Sequence, residues 1–380
     1  MPKTSDSFPI TLGVEEELFL VNPESRDLFT DCVEDIFEEC RRNKGPHQIV
    51  PEFLRAQIET NTKVCHSLSD LREAVTETRN IVINAAAKSG AAAMATSTHP
   101  FTSWRGLEIT PGERYEHFAM TFQEGVRRFV IGGMHIHAGF GNPDSRIRVM
   151  TALRRYLPLL HALSTSSPFN EGYDTGFKSY RLSLVGGLPR TGMPAQLDSW
   201  VEYERLVEGY RQMKFIDDSS ELWWDIRPSP KFPTIELRIC DMCTRVEDAM
   251  CIAAIYACLI RRLSRLERAG ALPREPLTEI IAEDRWIAQR YGIFAYFGDP
   301  GAETGRIDIA DFLDHLLDEL AEDAEALDCE KEIRHAVGII KDGASADRQI
   351  DLFRMRRLEG DSIREALHHV VDLAIAGTGE

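Results

Sequence analysis

The chain has 380 residues, 43% hydrophobic and 28% charged, the proportions of a folded globular protein with room for one large domain or two ordinary ones. Its formal net charge of −17 argues against a general nucleic-acid or anionic-membrane surface, because both are themselves negative. A phosphorylated ligand would need metal ions and arginines placed locally to offset that charge.

Residues 1–9 are short and polar, and the apolar run after them carries three glutamates, so no secretory leader is expected. No stretch approaches ~20 uninterrupted apolar residues, which predicts a cytoplasmic chain without a span. The first strand is expected over 11–21. Strand side chains alternate faces, so Glu15 and Glu17 point together and Val14 and Leu18 point the other way. A helix is expected near 33–42. Residues 55–61 read as a short strand, with Gln57, Glu59 and Asn61 opposite Ile58. Residues 70–89 read as a helix, with Asp70 and Glu73 at capping-box spacing and Gly90 as its stop. Small residues over 91–98 fit another strand.

The stretch 133–140 is a further strand signal, with His135 and His137 on one face and Met134 and Ile136 on the other. Pro143-Asp144 opens a helix expected to run toward Ser164. Residues 168–194 are loop-rich, with glycines at 172, 176, 186, 187 and 192; such segments in compact proteins are often lids or substrate loops. A helix is expected over 198–213. The strand predicted over 234–240 sets Glu236 and Arg238 on one face and Ile235 and Leu237 on the other. Thr244 and Glu247 repeat the capping-box spacing ahead of a helix that ends at Gly270. From 275 onward the pattern is helical, with no strand expected.

Eight cysteines scattered from Cys32 to Cys329 make no small-domain disulfide pattern. Cys240 and Cys243 form a lone CxxC, where a zinc ribbon needs two such pairs. Cys251 and Cys258 read as small core residues. There is no GxxxxGK[ST] and no GxGxxG, so a nucleotide would have to be bound in some other way.

Two glutamates, two histidines and a Glu/Arg pair at successive same-face positions describe a polar, metal-binding sheet floor. Glutamates with imidazole suit Mg²⁺ or Mn²⁺. Crowded carboxylates repel one another and need bound cations. Arg238 beside Glu236 suits the neutralisation of charge in phosphoryl transfer. A metal-dependent hydrolase is the rival enzyme class, although such sites draw more on histidine and aspartate. A non-catalytic nucleotide- or amino-acid-binding relative is the other alternative.

Val14-Glu15-Glu16-Glu17, Gln57-Ile58-Glu59, Met134-His135-Ile136-His137 and Ile235-Glu236-Leu237-Arg238 occur in that order. Together with Ser179-Tyr180-Arg181 and Trp224-Asp225-Ile226-Arg227-Pro228-Ser229 they resemble the carboxylate–amine ligase family, or glutamate–cysteine ligase type 2, of the glutamine synthetase superfamily. The resemblance runs from about residue 9 to the C-terminal helices. It implies an α+β, glutamine synthetase-like catalytic fold: a curved antiparallel β-sheet forming a funnel with a metal-binding inner face, covered by helices. One domain over 1–380 is expected, strand-rich over about 9–243 and helical over about 244–377.

The resemblance further implies ATP at one end of the funnel, the amino-acid substrate at the other, and two or three Mg²⁺ or Mn²⁺ ions at the waist. Glu15, Glu17, Glu59, His135 and Glu236 would hold metal, with Glu52 as a further position. Arg238 would contact the transferred phosphoryl group, and Arg181 a substrate carboxylate or the acyl phosphate. His137 is left as ligand, phosphate contact or substrate contact. Arg227 and Lys231 are candidates to reach the nucleotide, with an exposed turn as their alternative. The implied reaction is ATP-dependent amide formation through an acyl phosphate, nominally glutamate plus cysteine giving γ-glutamylcysteine, with weak or nominal activity. The partners would be small-molecule substrates, with a homodimer left open. The stripe Ile309, Phe312, Leu313 and Leu316 is expected to pack internally, and the acidic face over 307–325 to be solvated.

Overall fold

A computed structural model describes residues 8–380; the leader expectation rests mostly on residues 1–7, which lie outside the described residues. Seven strands form the main sheet: β1 (Thr11–Val21), β2 (Gln48–Pro51), β3 (Gln57–Asn61), β4 (Ala92–Met94), β5 (Met134–Gly139), β6 (Ile226–Pro228) and β7 (Thr234–Leu237). Their order is β6-β7-β5-β1-β3-β2, with β4 added beside the end of β1, and every pairing is antiparallel.

Alternation divides this sheet as the sequence predicts. Val14, Leu18, Ile58, Met134, Ile136, Ile235 and Leu237 are buried in the main core. Helices α1 (Val33–Asn43), α2 (Leu68–Lys88), α3 (Pro143–Leu153) and α4 (Val246–Arg268) supply a large share of the rest of that core. The Tyr256 hydroxyl of α4 donates to the Ile235 carbonyl at 3.1 Å, tying this helix to β7. Beyond Glu17 the other face of β1 turns apolar. Phe19 and Val21 join Phe53, Met94, Phe101 and Val370 in a second core, closed by the helix Ile363–Thr378.

β1 changes neighbours along its length. Residues 11–16 pair with β5 and residues 19–21 with β4, so the sheet opens at Glu17. The turn at Gly132-Gly133 fills the opening, and the Glu17 amide donates to the Gly133 carbonyl at 3.1 Å.

Several elements differ from expectation for local reasons. α2 starts at Leu68 and is capped by Ser67, whose hydroxyl accepts from the Asp70 amide; Asp70 is the third helical residue, not the cap. Thr244 does not cap α4, because its hydroxyl faces Ser345 Oγ at 2.6 Å and its carbonyl accepts from Arg79. The helix from Pro143 is interrupted by a 3₁₀ turn at Arg154–Tyr156 before Leu157–Ser164, where Pro158 supplies no amide. The strands expected over 55–61, 91–98 and 234–240 are shorter: Gln57–Asn61, Ala92–Met94 and Thr234–Leu237. The amides of Arg238 and Ile239 both donate to the Asp225 carbonyl, a bulge-like stop to β7.

The stretch 168–194 is partly ordered. Phe169–Asn170 pairs with Tyr173–Asp174, Arg181–Val185 is a short helix, and Thr191–Gly192 pairs with Trp223–Trp224. β2 and the hairpin Tyr296–Gly298/Arg306–Asp308 were not anticipated. Ile309, Leu313 and Leu316 are buried and Phe312 meets Phe297 edge-on at 5.4 Å, so that stripe packs internally. Cys240 and Cys243 are buried free thiols. Among the described residues no helix is long and apolar enough to cross a membrane.

Candidate active site

Register brings the three signals onto one floor. Glu15 sits opposite His135, Glu17 opposite Glu59, His137 opposite Glu236, and Glu236 opposite Arg227. Ligand atoms of Glu15, His135 and Glu236 all lie within 4.8 Å of one another.

Glu15 bridges both imidazoles: His135 Nδ1 lies 3.2 Å from Oε2 and His137 Nε2 lies 3.2 Å from Oε1. Burial pushes the Glu15 carboxyl up, but these two hydrogen bonds and the imidazole charge outweigh it and hold the group ionised, well below the usual carboxylate range. Nδ1 lies between the Glu15 carboxylate at 3.2 Å, which only accepts, and Arg238 Nη1 at 3.4 Å, which only donates; the shorter contact favours the proton on Nδ1. Its Nε2 is then a bare lone pair, buried and without a hydrogen-bond partner among the described residues. Burial, with the Arg238 charge beside it, lowers the His135 pKa to about 4, so the ring is neutral at pH 7. A neutral imidazole with a free nitrogen beside two carboxylates fits a divalent cation. His137 Nδ1 also meets Thr234 Oγ1 at 3.0 Å. Burial opposes its protonation, but Glu15 and Glu236 raise its pKa overall.

Glu236 is held from both sides. Arg227 Nε and Nη2 donate to its two oxygens at 2.9 and 3.2 Å, and Arg238 Nη1 donates to Oε1. Burial pushes this carboxyl up, and the two guanidinium groups overcome that and depress its pKa strongly. Arg227 also donates to the carbonyls of Ser220 and Leu222 at 2.7 and 2.8 Å. Its guanidinium orients Glu236, and its buried place on β6 corrects the alternative expectation of an exposed turn. Lys231 is exposed on the turn between β6 and β7, away from the floor residues' hydrogen bonds.

The other half of the floor is acidic without matching cations. Burial lifts the Glu17 pKa to about 8, with Glu52 and Glu59 adding repulsion against the opposing pull of Arg181 and Arg238. Burial, then Glu15 and Glu52, lifts Glu59 to about 7. Burial also raises Glu52, with Glu15 adding repulsion against the opposing pull of Arg114 and Arg238. Glu17 Oε2 accepts from the Gly133 amide at 2.7 Å, and Glu59 Oε1 accepts from Asn61 Nδ2 at 2.7 Å. Arg181 is buried, with Nη1 donating to the carbonyls of Arg238 and Cys240 at 3.3 and 3.2 Å. A Cβ at Gly133 would overlap its guanidinium.

Sequence reading missed Tyr115, whose hydroxyl donates to the Pro51 carbonyl at 3.0 Å and whose ionisation is opposed by burial and by Glu52 and Glu59. It also missed Glu16, which turns to the core face of β1 and pairs there with Arg79. The run of three glutamates carried that signal: alternation sends the middle one inward, where it needs a buried cation.

Comparison with solved structures identifies the class of fold. A glutamate–cysteine ligase from Francisella tularensis, solved with AMP, superposes with a TM-score of 0.68 at 12% identity, covering 98% of this chain and 90% of that one. A bifunctional glutathione synthetase from Pasteurella multocida gives 0.68 at 15% identity over 97% of this chain and 53% of its own, so the chain spans about half of that protein. The architecture is thus that of the glutamine synthetase-like ligases. At the sequence level, residues 11–372 match glutamate–cysteine ligase family 2 (GCS2). A Rhodospirillum rubrum relative, provisionally named glutamate–cysteine ligase 2, is 45% identical over 371 residues, 97% of this chain and 95% of the relative. The chain belongs to this family, and is an ATP-dependent ligase enzyme.

Proposed function

We propose that the protein joins the carboxylate of an amino acid to an amine, using ATP to activate the carboxylate as an acyl phosphate, with glutamate and cysteine as the lead pair and γ-glutamylcysteine as the product. The observation that carries this reading is the convergence of Glu15, His135 and Glu236 within 4.8 Å, with Arg238 hydrogen-bonded to Glu236 on the same floor.

Glu15, Glu17, Glu52, Glu59, His135 and Glu236 would hold Mg²⁺ or Mn²⁺, two or three ions in all. When bound, the ions would offset phosphate charge and link the nucleotide to the floor. The substrate carboxylate oxygen attacks the γ-phosphorus, and ADP leaves. The amine nitrogen then attacks the acyl carbon, inorganic phosphate leaves, and the amine loses a proton. Arg238 stabilises the charge on the transferring phosphoryl group. Arg181 holds the substrate carboxylate or the acyl phosphate. His137, kept protonatable by Glu15 and Glu236, would serve as a metal ligand, a phosphate contact or a substrate contact. Arg227 orients Glu236, and with Lys231 on the β6–β7 turn it is a candidate to reach the nucleotide. The stretch 168–194 screens the acyl phosphate from water. The chain acts as one ligase unit in the cytoplasm.

The test is phosphate release from purified protein with ATP and Mg²⁺ or Mn²⁺ across a matrix of carboxylates and amines, with the products weighed by mass spectrometry. Release should require one carboxylate and one amine together, and yield an amide of matching mass. Cleavage of an amide or ester without ATP would favour the hydrolase reading. Glu17→Ala and Arg238→Ala should abolish turnover with the fold retained; normal turnover in both would sink the assignment.

A further inference from the structure

Asp241 lies beyond the catalytic floor, fully buried, in an isolated antiparallel bridge with Gly133. Its Oδ2 accepts from the Ser166 amide at 3.0 Å and the Ser167 hydroxyl at 2.7 Å, and its Oδ1 accepts from the Ser179 hydroxyl at 2.8 Å. The Asp241 amide donates to Ser164 Oγ at 3.1 Å. Ser167 and Ser179 mark the two ends of the excursion that carries the hairpin Phe169–Asn170/Tyr173–Asp174, and they bridge each other in parallel. The Tyr180 amide donates to the Ser167 carbonyl at 2.8 Å, and the Arg181 amide to Ser167 Oγ at 3.2 Å.

The same knot touches the site through Gly133. The Gly133 amide holds Glu17 Oε2, its Cα faces the Arg181 guanidinium, and its backbone bridges to Asp241. Arg181 Nη1 reaches the carbonyls on either side of Ile239, while Arg181 Nε is buried without a partner among the described residues. The guanidinium is therefore located by the backbone of residues 238–240, which runs directly into Asp241. A buried carboxylate receiving three donors is a strong anchor, and nothing in the ligase reading above makes use of it.

We infer that Asp241 is a positioning residue for Arg181: its carboxylate clamps both ends of the 167–179 excursion and so sets where the Arg181 guanidinium meets the Glu17 side of the floor. An amide at this position has one acceptor oxygen instead of two. The Ser179 hydroxyl would have to reverse and accept, so the fold survives while the loop end and Arg181 shift. The inference rests on the proposed role of Arg181 at the substrate.

The experiment compares the parent with Asp241→Asn, Arg181→Ala and the double variant, using ATP, Mg²⁺, L-glutamate and L-cysteine, with thermal melting and amide hydrogen exchange in parallel. Asp241→Asn should melt close to the parent and exchange faster over 166–181 but not over β1. Its KM for ATP should stay within about twofold while kcat/KM for L-glutamate falls about tenfold or more, a selective loss that general loosening of the fold would not give. The double variant should be no slower than Arg181→Ala alone, because both changes remove one function. Parent-like kinetics in Asp241→Asn beside an inactive Arg181→Ala, or losses that add in the double variant, overturn the inference and spare the Arg181 reading. Full activity in Arg181→Ala overturns both. If the parent is silent with this substrate pair, exchange decides: unchanged exchange over 166–181 overturns the clamp, and faster exchange supports it.

Discussion

The Glu16–Arg79 pair gives the sharpest stability test. Both side chains are 1% exposed. Arg79 Nε and Nη2 meet the two Glu16 oxygens at 2.9 and 2.6 Å, and the same guanidinium donates to the carbonyls of Thr244, Cys243 and Thr378 at 2.7, 2.8 and 3.3 Å. One side chain thus joins β1, the start of α4 and the end of the last helix. Arg79→Met keeps the aliphatic stem and strands a carboxylate and three carbonyls. Removing one partner of a buried ion pair costs about 3–5 kcal/mol, a large part of a total stability of about 5–15 kcal/mol. Glu16→Leu with Arg79→Met removes the stranded charge as well, so the double variant should recover most of the loss. The unpaired carbonyls would account for a remainder of about 1–3 kcal/mol. Urea unfolding followed by circular dichroism and tryptophan fluorescence measures all three differences. The reasoning fails if Arg79→Met lies within about 1 kcal/mol of the parent, or if the double variant loses the sum of the two single changes. Turnover should fall in Arg79→Met as well, since a one-residue slip of β1 would send Glu15 and Glu17 to the wrong face.

Three further outcomes follow from the structure. Mg²⁺ or Mn²⁺ at about 100 times its Kd should stabilise the parent by about 2.7 kcal/mol, and His135→Gln or Glu236→Gln should shrink that shift in a thermal melt; an equal shift in both variants would place the ion elsewhere. Burial lowers His99 from an ordinary 6.5 to about 4, outweighing the Nε2 hydrogen bond to the Arg26 carbonyl, which acts to raise it, while Nδ1 accepts the Thr102 amide as a neutral ring can. The unfolded chain then takes up its proton first as pH falls, so about 3 kcal/mol of stability is lost between pH 6.5 and 4. His99→Gln should flatten that slope, and parallel slopes in urea titrations at pH 7, 6 and 5 would contradict it. Gly133→Ala should leave the melt near the parent's and cut turnover, because the added methyl displaces Arg181; parent-like turnover would show that the guanidinium position is not critical.

Much of the floor was legible because strand alternation is strict. Glu15, Glu17, His135, His137 and Glu236 needed only period-two spacing, and β1 starts and ends where its apolar and polar residues change. Arg227 was legible as a candidate, but its hydrogen bonds to Glu236 were not. Its partner is fixed by the β6–β7 register opposite Glu236, which depends on where the intervening turn closes. Arg79 and Asp241 were invisible for a related reason: each acts through contacts 62 to 299 residues away in sequence. The caps failed at Asp70 and Thr244 because side chains with the right spacing were already committed, one to Lys63 and the other to Ser345. The hairpin after 295 was missed because three-residue strands carry too little periodicity to register against helical surroundings.

The distribution of charge across the floor gives the proposed chemistry a direction. On the β6–β7 side, Glu236 is matched by two guanidinium groups and its carboxylate stays ionised. On the β1–β3 side, Glu17 and Glu59 rest on amide donors from Gly133 and Asn61, and burial drives their pKa values to about 8 and 7. These two carboxyls and Glu52, each raised by burial and by neighbouring carboxylate charge, resist ionising together at neutral pH without added positive charge. A cation that arrives with a polyphosphate supplies that charge, so on the proposed reading its binding deprotonates Glu17 and Glu59 and draws the nucleotide to this side. Arg238, already paired with Glu236, is then left facing the oxygens that gain charge during transfer. A chain with a net charge of −17 can hold a triphosphate on these terms. On the proposed reading, the acidic half of its site would require the ions that the substrate brings, and the basic half would stay balanced until the reaction creates charge for it to meet.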